Sequence, residues 1–278
     1  PLSLYATTTN ALLHCGASIT DINIIRKRLS AIKGGRFAKL CLPASVVGLI
    51  LSDVLGDTVE TIASGPISPD PTTAAEAERT LLRVLPDAPE VIRALMRRET
   101  PKTLPNAQTH IIGNVSLLVR SAAHTLQRLG YETCVLTDRL ACEAAEAGRF
   151  LGSIAVSHQN ENRSIAYLAG GETVVHVTGT GLGGRSQELA LAAAPALDGL
   201  RDTAIFSFGS DGTDGPTDAA GGYVDHRTMG KIRASGLDVD NALLNHDSYH
   251  ALRACDGLIT TGPTGTNVND ICAVLIRR

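Results

Sequence analysis

Tryptophan is missing from this chain, aromatic residues make up only 3% of it, and its lysines and arginines never gather into a block. Bases have little to stack on and a phosphate backbone meets no basic footprint, so a nucleic-acid partner is not expected. Long apolar runs are lacking too. The longest, at 46–51 and 165–169, fall far short of the roughly 20 residues that cross a bilayer, and no charged-then-apolar leader opens the chain. No membrane contact and a cytoplasmic location are the expectations. The six cysteines (Cys15, Cys41, Cys134, Cys142, Cys255, Cys272) form no C-x-x-C pair and have no histidine at zinc spacing, so they read as buried thiols. No histidine sits in an H-E-x-x-H motif, and neither G-x-S-x-G nor a Walker A loop occurs, which disfavours zinc and Ser-His-Asp chemistry.

What is present suits a globular α/β protein. The 278 residues are 44% apolar with a net charge of −3, enough to bury one large or two modest cores. Apolar, β-branched runs at 40–42, 46–51, 110–112, 133–136, 164–168, 173–177, 204–208, 257–260 and 273–276 read as strands. They alternate with helical periodicity at 6–29, 74–85, 89–98, 115–129, 142–157 and 185–194. Thr73 with Glu76 spells a capping box, Asn114 an N-cap and Gly130 a C′ residue. The polar stretch 157–164 lacks periodicity and is the expected boundary between domains at 1–160 and 161–278.

Three glycine-punctuated segments carry the chemistry: Gly179-Thr-Gly-Leu-Gly-Gly-Arg-Ser-Gln-Glu188, Asp211-Gly-Thr-Asp-Gly-Pro-Thr-Asp218 and Thr261-Gly-Pro-Thr-Gly-Thr-Asn-Val-Asn-Asp270. Each follows a predicted strand, and together they read as the lining of one polyanion site. Gly179, Gly181 and Gly184 satisfy G-x-G-x-x-G, with Gly183 beside them, although the same pattern also makes an ordinary strand-to-helix turn. Arg185 adds a guanidinium fork able to clamp phosphate oxygens. Asp211, Asp214 and Asp218 would repel one another without a cation, which makes them the candidate metal ligands; the plainer alternative is a set of Asx turns and caps. Thr264, Gly265 and Asn267 offer further nucleotide contacts, and Asp270 either caps or joins the metal shell. Asp53 follows the run 46–51, where α/β folds place ligands. Lys33 and Arg36 flank a Gly-Gly pair that also suits a helix C-cap, and Ser64-Gly65 forms a second anion-compatible turn.

With these segments assembled, the chain resembles the class II glycerate kinase family, whose C-terminal module is called MOFRL and whose members are also labelled hydroxypyruvate reductases. The likeness runs nearly end to end, through Arg26-Lys-Arg-Leu-Ser-Ala-Ile-Lys-Gly-Gly-Arg-Phe-Ala38, Leu51-Ser-Asp-Val-Leu-Gly-Asp57, Ile62-Ala-Ser-Gly-Pro66, Gly170-Gly-Glu-Thr173, 179–191, 211–222 and 261–270. The resemblance implies a Rossmann-like larger domain, a smaller α/β MOFRL domain, and ATP- and Mg²⁺-dependent phosphorylation of D-glycerate to 2-phosphoglycerate in a cleft between them. Arg185 then corresponds to the family's active-site arginine, and Asp53 and 211–218 to cleft carboxylates. A carboxylate such as Asp53 is expected to orient or deprotonate the hydroxyl, and Lys33, Arg36 or the Ser64–Gly65 turn to hold the substrate carboxylate. Family members are roughly half as long again, with an N-terminal portion carrying a lysine in a Gly-Lys-Ala segment. This chain opens on Pro1 and matches none of that portion, so its larger domain is expected to be N-terminally incomplete and its activity alone is open. An NAD(P)-dependent hydroxypyruvate reductase and a non-catalytic nucleotide-binding module are the alternatives. The assembly, a homodimer included, is left undecided. Against the reductase stands the lack of any recognisable His–carboxylate relay in the sequence.

Overall fold

A computed structural model describes residues 2–56 and 58–278, so Pro1 and Asp57, the last residue of the 51–57 motif, lie outside the described residues. The chain forms two compact units, one of residues 2–50 and 58–112, the other of 51–56 and 113–278.

The first unit contains α1 (Leu2–His14), α2 (Ile19–Leu29), α3 (Arg36–Leu40), β1 (Val46–Leu51), α4 (Ala74–Val84), α5 (Glu90–Met96) and β2 (Ala107–Gly113), with β1 and β2 forming a two-stranded sheet. The single helix expected over 6–29 is two. Gly16 takes a left-handed φ of 73°, and Ser18 caps α2 by accepting from the Asp21 N–H, so the chain turns where periodicity alone runs on. The strand expected at 40–42 is instead the end of α3 and a turn, because Gly35 (φ 79°) starts a helix there. The Thr73–Glu76 capping box opens α4 as expected. Leu12, Ile25, Leu81, Ile92 and Met96 from four helices make the unit's core.

Beside that core lies a buried ionic knot. Asp70 is fully buried and accepts from Lys27 Nζ (3.1 Å), Arg28 Nη1 (3.5 Å), the Thr100 hydroxyl (2.8 Å) and the Thr72 N–H and hydroxyl. Burial works to raise the Asp70 pKa, but the Thr100 hydroxyl, the Lys27 charge and the Thr72 contacts together hold it below its ordinary value.

The second unit continues with α6 (Val115–Arg128), β3 (Glu132–Leu140), α7 (Ala144–Ser157), β4 (Ile165–Gly171), α8 (Arg185–Ala193), β5 (Thr203–Gly209), β6 (Gly221–Asp225), α9 (Thr228–Ala234), α10 (Val239–Leu244), α11 (Ser248–Ala254), β7 (Leu258–Ile259) and β8 (Asp270–Ile276). Its sheet runs β3-β4-β8-β5-β6-β7; only β3 and β4 pair in parallel. Alternation along the strands builds two cores. Ile165, Tyr167 and Ala169 of β4 with Cys272, Val274 and Ile276 of β8 face α7 and α8, whereas Ala166, Leu168, Ile271 and Ala273 face α6. Asn114 and Gly130 cap α6 as expected, and Val115, Val119, Ala123 and Leu126 form its buried stripe.

The polar stretch 157–164 joins α7 to β4, both of which belong to the second compact unit. Several expectations about single elements are corrected. Residues 173–177 form no strand, only a bridge from Val174 to Glu143, because β4 ends at Gly171 with a φ of 156°. Strand β6 is hidden by its two glycines, and α9 to α11 are too short to show a period of their own. Of the six thiols, Cys255 and Cys272 are buried; Cys15, Cys134 and Cys142 are exposed, Cys134 because β3 edges the sheet.

Asp70→Asn should destabilise the first unit by about 3–5 kcal/mol, because it leaves two cations buried without their carboxylate. Urea unfolding followed by circular dichroism tests this, and an unchanged midpoint would show that the knot contributes nothing.

Candidate functional site

A cavity of about 420 Å³ opens in the second unit, and Gly181, Gly183, Gly184, Arg185, Glu188, Asp211, Thr213, Asp214, Gly215 and His246 are among the residues lining it. Two of the three glycine segments therefore meet, as expected. Gly209 lies where they approach: a Cβ there would sit 3.0 Å from Asp211 Oδ1 and 3.4 Å from Asp270 Oδ1.

Asp214 closes the arrangement. Gly184 has no side chain to cap α8, and the buried Asp214 carboxylate replaces one, accepting from the N–H groups of Ser186 (3.1 Å) and Gln187 (2.8 Å) and from Gln187 Nε2 (3.0 Å). Burial dominates its electrostatics and lifts its pKa to about 6 against the opposing hydrogen bonds from Gln187 and Ser186. Asp211 turns one carboxylate oxygen to the Thr213 N–H (3.0 Å), whereas exposed Asp218 accepts from the Tyr249 hydroxyl (2.8 Å). The expected three-carboxylate metal shell is thus corrected: two of the three are caps or surface acceptors, and among the described residues no group of three or more His, Cys, Asp or Glu is placed to hold a metal.

Arg185, the first residue of α8, is braced on two sides. Its Nε and Nη2 donate to Asp270 Oδ2 (2.6 Å) and Oδ1 (3.1 Å), and its Nη1 donates to Glu172 Oε1 (2.8 Å). Desolvation works against its charge, but the Asp270 and Glu172 interactions outweigh it and raise the pKa above its ordinary value. Asp270 is itself pushed upward by burial, with Arg185 pulling the other way. Three of the five guanidinium N–H donors serve these carboxylates, which fixes the fork at the cavity wall.

The glycines of 179–184 serve a purpose other than the one expected of a pyrophosphate turn. A Cβ on Gly181 would stand 2.5 Å from both Asn245 O and Asp247 Cβ; Gly179 likewise abuts Asn245, Gly183 abuts Ser248 and Gly184 abuts Asp214. The loop's N–H groups are consumed as well, Thr180 donating to Asn245 Oδ1, Gly181 to Asn245 O and Leu182 to Asp247 Oδ1. Close packing on 245–248 demands Gly179, Gly181 and Gly183, and close packing on Asp214 demands Gly184. The fingerprint motif is therefore met in sequence while its first N–H groups face the protein.

Most of the other expected residues have partners of their own. Thr264 donates through its hydroxyl to Ser210 O (2.6 Å) and through its N–H to Asp211 O, and Asn267 accepts from the Asn269 N–H; these two and Gly265 do not line the cavity. Asp53 is exposed in the segment 51–56 and is absent from the lining. In the first unit Lys33 Nζ donates to Ala63 O (2.6 Å), Arg36 Nη1 to the carbonyls of Lys27 and Ser30, and the Ser64 hydroxyl to Asn23 Oδ1, while Gly65 O accepts from Gly35 N–H. Those groups hold their own turn together.

Sequence reasoning missed a pair on the cavity wall. Glu188 is buried, and its Oε2 lies 2.9 Å from His246 Nδ1, whose Nε2 is 3.3 Å from Thr178 Oγ1. The partners lie 58 positions apart, so no spacing motif could reveal them.

The chain matches the MOFRL family over residues 165–270 and a domain described as "Domain of unknown function (DUF4147)" over 2–97. It is 49% identical over 272 residues to a D-glycerate 2-kinase of Thermotoga maritima, covering 96% of this chain and 65% of the relative. With a glycerate 2-kinase of Pyrococcus horikoshii it shares 43% identity, over 97% of this chain and 64% of the relative. A crystal structure of a glycerate kinase from Thermotoga maritima superposes with a TM-score of 0.95 at 48% identity, over 99% of this chain and 68% of that one. The chain thus spans about two thirds of the length of these relatives.

Because Asp214 is mainly desolvated, its folded pKa of about 6 exceeds the 3.8 of the unfolded chain, and its contribution to stability is complete below about pH 4 and lost as pH rises through 6. The unfolding free energy of the wild type, measured relative to Asp214→Asn, should therefore fall by roughly 1–3 kcal/mol between pH 4 and 6.5. A difference that is flat across that range would show that this carboxyl titrates normally.

Proposed function

From the premise that this chain belongs to the glycerate kinase family with a MOFRL module, we propose that it takes part in ATP-dependent phosphorylation of D-glycerate to 2-phosphoglycerate, with its 420 Å³ cavity receiving the phosphates. The observation that carries this reading is Arg185. A guanidinium locked by Asp270 and Glu172 stands over the cavity with donors remaining, which is the arrangement that stabilises charge on transferring phosphoryl oxygens. Its rigidity matters because a preorganised donor needs no reorganisation when the charge develops.

The wall also favours a cation-bearing nucleotide over a bare anion. Glu188, Asp211 and Asp214 line the cavity with Arg185, so a triphosphate would enter against carboxylates unless its charge were partly neutralised. Nucleotide arriving as its Mg²⁺ complex removes this conflict, and Asp211, close to the Arg185–Asp270 pair, is the carboxylate best placed to face the ion. Mg²⁺ would supply charge neutralisation at the phosphates. With Asp214 capping α8 and Glu188 bonded to His246, Asp211 is the lining carboxylate left to it, which suits an ion held largely by the nucleotide and water.

The hydroxypyruvate reductase reading gains one observation, the His246–Glu188 pair, since a His–carboxylate relay is what hydride transfer to a carbonyl uses. It loses more in the glycine loop, whose N–H groups at 180–182 are occupied within the protein.

Incubation with D-glycerate and Mg-ATP should yield 2-phosphoglycerate, and Arg185→Ala should lower kcat on the order of 10³-fold, with Arg185→Lys recovering little because lysine lacks the fork. Turnover near wild type in both variants would remove the assigned role. NADPH oxidation with hydroxypyruvate in place of phosphoglycerate formation would instead select the reductase, and nucleotide binding without either reaction a binding module.

A further inference from the structure

The pair of His246 and Glu188 is unused by the reading above, and four features set it apart from an ordinary buried histidine. Glu188 is buried and holds His246 Nδ1 at 2.9 Å. An ionised carboxylate can only accept, so Nδ1 carries the proton, and in the neutral imidazole Nε2 keeps its lone pair. Thr178 Oγ1 stands 3.3 Å from Nε2, the place that a substrate hydroxyl would take in its stead. Both residues line the same cavity as Arg185.

The fourth feature is the backbone. His246 follows the cap of α10 with a φ of 54°, and its N–H donates to Leu243 O while that of Asp247 donates to Ala242 O. Helix ends of this kind ordinarily place glycine at the left-handed position, and a bulky side chain there is strained. The same turn seats the 179–184 loop through Asn245 and Asp247, so the imidazole and the loop preceding Arg185 are positioned by one segment.

We infer that His246 is the general base of the phosphoryl transfer and that Glu188 is its positioning residue. This rests on the kinase reading and goes beyond it. The substrate hydroxyl oxygen forms a bond to the γ-phosphorus while the bond from that phosphorus to the β,γ-bridging oxygen breaks, its electron pair leaving with ADP. The hydroxyl proton passes to His246 Nε2, and the imidazolium so formed is stabilised by Glu188. Asp53 is not required: it does not line the cavity, whereas the oxygens of Asp214 are engaged by the first turn of α8.

The test uses the full chain with D-glycerate and Mg-ATP. His246→Asn, which tolerates the left-handed backbone, should lower kcat by roughly 10²–10⁴-fold with KM for ATP little changed. His246→Gly should behave alike, and added imidazole should restore part of its rate, a rescue that a purely structural role would not show. Glu188→Gln should reduce kcat about tenfold with KM for ATP unaltered, the split expected of a residue acting only on the chemical step. Unfolding midpoints and ATP binding by calorimetry establish that the variants are intact. A wild-type chain that phosphorylates glycerate alongside an equally fast His246→Asn, or a folded, slowed His246→Gly that imidazole leaves unchanged, overturns the base while leaving the kinase standing. A wild-type chain that forms no phosphoglycerate overturns the kinase reading and the base with it.

Discussion

The carboxylate of Asp214 bonds to the first turn of α8, and the geometry of the cavity depends on that tie. It brings the loop after β5 against the start of a helix whose own cap position is a glycine, and so places Arg185 and Asp211 on one wall. The cost is a buried carboxyl whose ionisation is resisted, with a pKa near 6. Backbone donors at a helix N-terminus are among the few partners able to hold a negative charge there, which explains why the contact is to N–H groups rather than to a second cation.

Around this tie the charged groups divide their labour. Asp270 and Glu172 hold Arg185 still, Glu188 holds His246, and Asp211 stays close to the Arg185–Asp270 pair with a lighter commitment to the Thr213 N–H. Each carboxylate that orients a partner has fewer lone pairs free for a metal, and among the described residues no group of three or more His, Cys, Asp or Glu is placed to hold one. The glycine loop follows the same economy. The N–H groups of 180–182 and the missing side chains of Gly179, Gly181 and Gly183 serve the 245–248 turn, which makes this part of the motif a packing surface.

In the first unit the polar residues singled out in the sequence find partners within the unit itself. Lys33, Arg36 and Ser64 each bond to a carbonyl or amide of their own unit, and Ala63, Ser64 and Gly65 run through left-handed backbone that such bonds stabilise. Next to them the Lys27–Asp70–Arg28 knot joins α2 to the approach of α4. Its charges are paired because unpaired they would not tolerate burial.

The amino-acid order alone determined the local features: the caps of α4 and α6, the apolar runs of β4, β5 and β8, the glycine segments and the place of Arg185 at the start of a helix. These depend on neighbours within a few residues, where hydrogen-bond reach and side-chain periodicity act directly. It could not separate α1 from α2 by periodicity, reveal β6 behind Gly221 and Gly222, or assign α9 to α11, whose short lengths rely on packing. Nor could it sort the carboxylates of 211–218, since Asx turn, helix cap and metal ligand all use the same residue type. Tertiary structure decided that Asp214 caps a helix 27 residues earlier, that Asp270 braces Arg185 from 85 residues away, and that Glu188 meets His246. Such pairings are set by where the sheet brings its strand ends together, and no local rule carries that information.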